Sequence, residues 1–340
     1  MNFFIKGKNP RKIIISLFII VIILLIANLA LEVIWNQKVP ENPDKKPIKL
    51  NGIEEIFKES LANLGIENNW ITLQKKRKKS PAVSYRAAVP PDLPITVVLS
   101  EIFVSFKNYD VAIKSEEQKI NGRTLLKISV KDNLKLSCEF FYDKSISRNA
   151  GRIGIFVKGI TKLTNQGAET LLSSPETFEL LLIPSKESVI LLKTLKEYKK
   201  GYGILFSDDI SDLEFKLSSK YSLGRLKSSI RNILGKFPNA SVFIIDDNSN
   251  LFSSDVYSLL KGEFKKRNLK LIPEDLLLKL TDEGSNSALK DFRVKIQKTK
   301  RGEKAEVVVT TEEFRLLQPE IIRFRKVGYK FILPSELIKE

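Results

Sequence analysis

Residues 153–157 read IGIFV, the first of a series of short apolar stretches that decides how the second half of the chain folds. Stretches of the same kind follow at 178–183, 203–206, 242–245, 269–272, 305–309 and 330–333. Between them lie longer segments that read as helices, among them 187–199, 223–236 and 255–266. Short apolar strands alternating with helices indicate an α/β fold, either a parallel sheet or a (β/α) barrel. No repeat of fixed period runs through this region.

The pattern upstream of residue 151 is different. Residues 70–73 and 83–89 read as strands flanking the run Lys75-Lys76-Arg77-Lys78-Lys79. Pro90, Pro91 and Pro94 then break the chain, and ITVVLSEIFVSF (95–106) reads as a helix with a proline near its start. Residues 111–114, 125–130 and 134–142 read as strands, with hairpin turns at Asn121-Gly122 and Asp132-Asn133. The expectation for 51–148 is a small α+β module of the β-α-β-β, ferredoxin-like kind. Its first helix is set by Ile53, Ile56, Phe57, Leu61 and Leu64 at helical spacing. In front of it, NQKVPENPDKKPIKL (36–50) is polar, holds three prolines and reads as a linker.

Further toward the N-terminus, IIISLFIIVIILLIANLAL (13–31) carries no charge. At about 1.5 Å per residue it spans about 28 Å, one hydrocarbon core. The run is too long for a cleaved signal peptide and lacks its small-residue cleavage site; Trp35 suits the interface. Residues 13–35 are therefore expected to be an uncleaved, single-pass anchor. The basic tail 1–12, with Lys6, Lys8, Arg11 and Lys12, favours a cytoplasmic N-terminus. The later domains would then lie outside the cytoplasm, in the periplasm or its equivalent. Lys38, Lys45, Lys46 and Lys49 on the other side weaken that asymmetry.

The composition excludes more than it selects. The chain has 340 residues, 43% of them hydrophobic, with a formal charge of +17 and a pI near 9.6. That charge favours anionic partners without choosing among lipid, glycan and nucleic acid. There is no histidine, and the one cysteine is Cys138. Internal disulfides, the usual zinc ligand sets and Ser-His-Asp or Cys-His machinery are all impossible. All-oxygen metal sites, paired carboxylates and lysine or tyrosine chemistry remain open.

Several segments of 151–338 match a known pattern in order. IGIFV (153–157) stands where an opening strand is expected, and FELLLIP (178–184) where a second strand ends in proline. Phe237-Pro238-Asn239-Ala240 stands before the central strand, and FRKVGYKFILPSEL (324–337) closes the series. In these features the region 151–340 resembles the divergent polysaccharide deacetylase family, relatives of the NodB-type carbohydrate esterases. The resemblance implies a distorted (β/α) barrel. It also implies a catalytic set that this chain lacks. Lys158 and Gly159 stand where the family has two aspartates, and Phe206, Asp246 and Thr310 where it has histidines. With no histidine anywhere, no shift of alignment restores the set.

Deacetylation needs a nucleophilic water, which a bound metal supplies by lowering the water pKa from about 15.7 to roughly 7. A carboxylate base and an acid for the leaving amine complete the reaction. A lysine at position 158 opposes cation binding there. The resemblance thus implies a pseudoenzyme with no metal and no cofactor.

Other candidate residues have plainer readings beside the functional ones. Asp208-Asp209 and Asp246-Asp247 follow apolar strands, where a barrel has its mouth. Together they would suit Ca²⁺ or Mg²⁺, or two of them would flank a glycosidic bond. The plainer and favoured reading is that they start loops and cap helices. The Lys75–Lys79 run would meet lipid phosphate or acidic glycan, but solvated loops carry such runs more often. Trp70, Tyr85, Tyr198, Tyr202, Tyr221 and Tyr257 would stack on sugars, but aromatics at these spacings are mostly core. Lys158 as a nucleophile is weighed against a solvent-facing lysine, and Cys138 reads as a small buried hydrophobe.

The expectation is a membrane-anchored, non-catalytic deacetylase-like protein of the cell envelope, binding an envelope glycan or an envelope protein partner. The alternatives are an active deacetylase or hydrolase working through the Asp pairs, and a structural component of an envelope assembly. Nucleic acid is an unlikely partner.

Overall fold

The computed structural model describes residues 45–74, 82–118, 122–280 and 285–339, and in front of them Ile20, Val21 and Leu24. Those three are helical, and the rest of the span expected at 13–35 lies outside the described residues, as does the basic run 75–79. Among the described residues no helix is long and apolar enough to cross a membrane.

The first folded unit opens with α1 (Leu50–Ala62), which buries Ile53, Phe57 and Leu61, one residue per turn. Its strands are β1 (Ile71–Leu73), β2 (Val83–Val89), β3 (Ala112–Glu117), β4 (Thr124–Val130) and β5 (Asn133–Tyr142). Helix α2 (Ile95–Ser105) follows Pro94 and buries Ile95, Val98 and Ile102. The sheet order is β1-β2-β5-β4-β3, with β2 and β5 parallel.

This corrects the ferredoxin-like expectation. The β-α-β-β run is present, but a ferredoxin-like unit continues into a second helix. Here Lys131 (φ 47°) and Asp132 (φ 62°) are both left-handed, as a two-residue type I′ hairpin requires. The chain therefore returns at once as β5, and β5 takes the place beside β2. The turn also lies one residue earlier than Asp132-Asn133, while Asn121 is outside the described residues. The linker expectation for 36–50 is corrected at its end. Lys46 donates its N–H to Asn108 O and accepts from Asp110 N, both at 3.0 Å, so this part of the chain is docked.

The second unit alternates as expected. Its strands are β6 (Arg152–Lys158), β7 (Glu179–Leu182), β8 (Gly201–Phe206), β9 (Phe243–Ile245), β10 (Leu271–Pro273), β11 (Leu278–Lys279), β12 (Lys304–Thr310) and β13 (Lys330–Ile332). They form one parallel sheet in the order β10-β9-β8-β7-β6-β12-β11, with β13 beside the first half of β6. Its two edges, β10 and β11, are joined by residues 274–277 alone. So short a connection draws the edges together and curls the sheet into an open, distorted barrel.

Helices α3 (Asn165–Leu172), α4 (Lys186–Glu197), α5 (Leu223–Lys236), α6 (Asp255–Lys265), α7 (Ser285–Lys298) and α8 (Thr311–Val327) connect the strands, and α9 (Pro334–Lys339) ends the chain. Gly154 lets α9 approach, since a Cβ there would stand 2.5 Å from Pro334 Cα.

Alternate strand residues enter two cores, because successive side chains point to opposite faces. Ile153, Ile155 and Val157 face the helices, with Leu180, Ile204, Phe206, Ile245 and Val309. Phe156, Leu181, Leu205, Ile244, Ile272 and Val308 face inward and form the smaller core of the barrel. The two units meet at Arg148, which is 11% exposed. It donates to Asp92 Oδ2 (2.7 Å), Leu64 O (3.4 Å) and Lys326 O (2.8 Å).

Candidate functional site

The inward parity runs past the strand ends and selects the residues at the barrel mouth. Phe156 faces inward, so Lys158 does; the same step leads from Leu205 to Ser207, Ile244 to Asp246, Ile272 to Glu274 and Val308 to Thr310. All five line one cavity of about 290 Å³, together with Asp209 and the wall of Leu181 and Leu205. The mouth is open rather than filled by side chains.

Its charged groups form a web. Glu274 is 3% exposed, and its Oε1 accepts from Lys158 Nζ at 3.2 Å. Its Oε2 lies 3.4 Å from Lys279 Nζ, which also donates to Asp247 Oδ1. Asp246, Asp247 and Glu274 bring carboxylate oxygens within 4.8 Å of one another. Partial burial pushes the Asp247 carboxyl up, but the hydrogen bond and charge of Lys279 outweigh it and leave it below the usual carboxylate range. Burial likewise pulls the Lys279 ammonium down, and its bond to Asp247 and the charges of Glu274 and Asp247 leave it above the usual lysine range. Two ammonium groups thus reach two of the three carboxylates, Glu274 and Asp247.

The donor set does not fit the metal that the deacetylase resemblance implies. No imidazole is available, and Lys158 and Lys279 already sit on the only close group of carboxylates found among the described residues.

The expected positions fall out differently. Lys158 and Asp246 face the cavity, and Asp246 Oδ1 also accepts from Asn248 N at 2.9 Å. Gly159 has φ 94° and turns the chain out of β6. Thr310 caps α8 in a capping box with Glu313 while lining the mouth. Phe206 is fully buried on the helix side, 6.3 Å from Phe243 and 5.7 Å from Phe264 by ring centroids. The mouth residue of that strand is Ser207, one position on.

The four aspartates do not form one cluster. Asp208 Oδ2 accepts from Asn250 N and Nδ2, both at 2.8 Å, and clips two loops together. Asp209 lines the cavity, and Asp247 pairs with Lys279. The sequence reading missed Glu274 and Lys279. An acid one step past β10 carries the same signal as Asp246 past β9, whereas Lys279 carries none.

Tyr85 and Tyr202 are core residues; burial and the bond to Glu54 push the Tyr85 hydroxyl up to about 12. Cys138 is fully buried, and burial pushes its thiol up.

No protein-family model and no curated protein matches the chain. Solved structures similar to it include two at 15% identity. One is an uncharacterized protein from Agrobacterium tumefaciens C58, 15% identical, with TM-score 0.39, over 56% of this chain and 91% of that one. The other is a mutant of a CE4-family pseudoenzyme, 15% identical, with TM-score 0.38, over 70% of this chain and 96% of that one.

Proposed function

We propose that the chain is a membrane-anchored, deacetylase-like barrel of a cell envelope that binds a glycan at its mouth without hydrolysing it. The observation that carries this reading is the mouth itself. It keeps a cavity of about 290 Å³, while Lys158 and Lys279 occupy the Glu274 carboxylate in its wall. A concave wall with a few convergent polar groups is what a small polar ligand needs. Leu181 and Leu205 offer an apolar floor, and Ser207, Asp209, Asp246 and Thr310 offer hydroxyls and carboxylates. The Asp208–Asp246 form of the hydrolytic alternative lacks support in the geometry. Asp208 is committed to Asn250 and does not line the cavity, so it forms no acid–base pair with Asp246 across it.

The test uses the full chain in detergent micelles, offered N-acetylated chito-oligosaccharides and peptidoglycan fragments with and without Zn²⁺, Mn²⁺ or Co²⁺. Saturable binding that Lys158→Glu weakens, with no acetate released, is the expected result. Acetate released in proportion to enzyme overturns the non-catalytic reading. No saturable glycan binding, with capture of an envelope protein by the full chain, moves the ligand to the protein class.

A further inference from the structure

Helix α2 carries an apolar face that the fold leaves uncovered. Val97 is 44% exposed, Phe103 42% and Val104 65%. Thr96 and Ser100, also exposed, add no charge. The only charged residue in the helix is Glu101, and it is paired with Lys326 Nζ of the second unit at 3.1 Å. On a chain of net charge +17, an outer helix face without charge is a departure that points to a partner.

The path of the chain says which partner. Lys46 is hydrogen-bonded to Asn108 and Asp110, immediately beyond the C-terminal end of α2. The chain therefore enters the fold at that end. Residues 32–44 separate this region from the uncharged run 13–31 and span at most about 45 Å when fully extended. Exposed Lys45, Lys46 and Lys107 gather at the same end, offering cations beside the apolar face. An exposed apolar helix face with lysines gathered beyond its end suits a membrane surface that offers an apolar boundary and anionic headgroups.

We infer that α2 rests on the membrane that the N-terminal run enters, with Val97, Phe103 and Val104 in the headgroup–acyl boundary and the lysines over anionic headgroups. This rests on the anchor reading proposed above. The first unit then does more than follow the anchor: it fixes the orientation of the barrel above the bilayer, because Glu101–Lys326 and Arg148 tie the two units together.

The single buried cysteine makes the test clean. The full chain carrying Val104→Cys, labelled with an environment-sensitive fluorophore, is reconstituted in vesicles of phosphatidylcholine and phosphatidylglycerol. Ile190→Cys, on α4 and 75% exposed, is the reference, and the parental chain controls for Cys138. A blue shift at position 104, quenched severalfold more by nitroxide lipids than at position 190, supports the inference. A blue shift without lipid quenching means a protein partner or second copy covers the face, and overturns it. Flotation of the same vesicles after an alkaline wash separates the two readings. A chain that floats while its label at 104 is aqueous overturns the inference alone. A chain that does not float overturns the anchor with it.

Discussion

Replacing Glu274 by Gln removes the charge at the centre of the mouth while keeping the side chain's shape. The carboxylate is 3% exposed and lies 3.2 Å from Lys158 Nζ and 3.4 Å from Lys279 Nζ. At an effective dielectric of about 20, each contact has a gross Coulomb energy of about 5 kcal/mol. Much of that is offset by the desolvation of the ions. Breaking a fully buried pair costs roughly 3–5 kcal/mol and breaking an exposed one about 0–1. Lys158 and Lys279 are 38% and 33% exposed, so both can turn toward water once the carboxylate is gone. The cost then lies between the two cases, at about 2 kcal/mol. For a unit of this size that is a fall in Tm of about 4–8 °C, read by circular dichroism on the full chain in micelles. The double variant Lys158→Gln/Glu274→Gln should recover about 1 kcal/mol of the loss, since it removes one of the uncompensated cations. A Tm change below about 1 °C for Glu274→Gln, or strict additivity in the double variant, refutes the web as a coupled unit.

Phe206→Ala empties a fully buried site between Phe243 and Phe264 and should cost about 3–5 kcal/mol. Phe206→His should gain no Zn²⁺-dependent rise in Tm, because the side chain faces the helices; such a rise would contradict the parity assigned here. Hydrogen bonds from Arg267 and Lys266 pull the Glu263 carboxyl down to about 2. Its folded value lies below its unfolded one, so its stabilisation is in place above about pH 4.3 and is lost as the pH falls toward 2. Glu263→Gln should flatten that acid limb in Tm measured against pH, and an unchanged limb assigns it to other carboxylates. Arg148→Ala leaves the carbonyls of Leu64 and Lys326 without this donor and should cost about 2 kcal/mol. Proteolysis in the connection 143–151 should quicken with it; an unchanged cleavage rate means the units hold together without the clamp.

The alternation of the second half was legible because its strands are short, mostly apolar and bounded by polar loops; β11, only Leu278–Lys279, carries no such signal and was missed. Which residue of each strand end faces the mouth was not. Strand β8 is GYGILF and buries nearly its whole length, so no polar alternation marks its inner face. That is why Phe206 reads as the site position when Ser207 occupies it. Helices α7 and α8 carry weak sequence signals for opposite reasons. The first, SNSALKDFRVKIQK, is mostly polar, and the second holds Pro319 in its interior, which reads as a breaker. The start of α8 was written in the sequence nonetheless, as Thr310 with Glu313 three residues on. The order of the first sheet turned on Lys131 adopting a positive φ, which its residue type does not announce. The Lys158–Glu274 contact joins residues 116 apart, and only the curl of the barrel brings them together.

That contact changes the meaning of a lysine at position 158. Read from the sequence, Lys158 is a missing ligand. In the fold it is a built-in cation paired with Glu274, which it shares with Lys279, beside three carboxylates whose oxygens lie within 4.8 Å of one another. Like charges so close raise one another's proton affinity unless a cation neutralises them. Removing the lysines should therefore create a demand for a cation. Lys158→Met/Lys279→Met keeps the apolar stems and takes the ammonium groups from Asp247 and Glu274, with Asp246 beside them. Three hard oxygen donors of that kind suit Ca²⁺ or Mn²⁺. Metal at about one hundred times its Kd should stabilise the variant by about 2.7 kcal/mol, while the parental chain shows no matching rise in Tm. The same rise in both places the cation elsewhere on the molecule. No rise in either means that the carboxylates relax apart or take up protons once the lysines are gone, and that the lysines do not act as the site's cation.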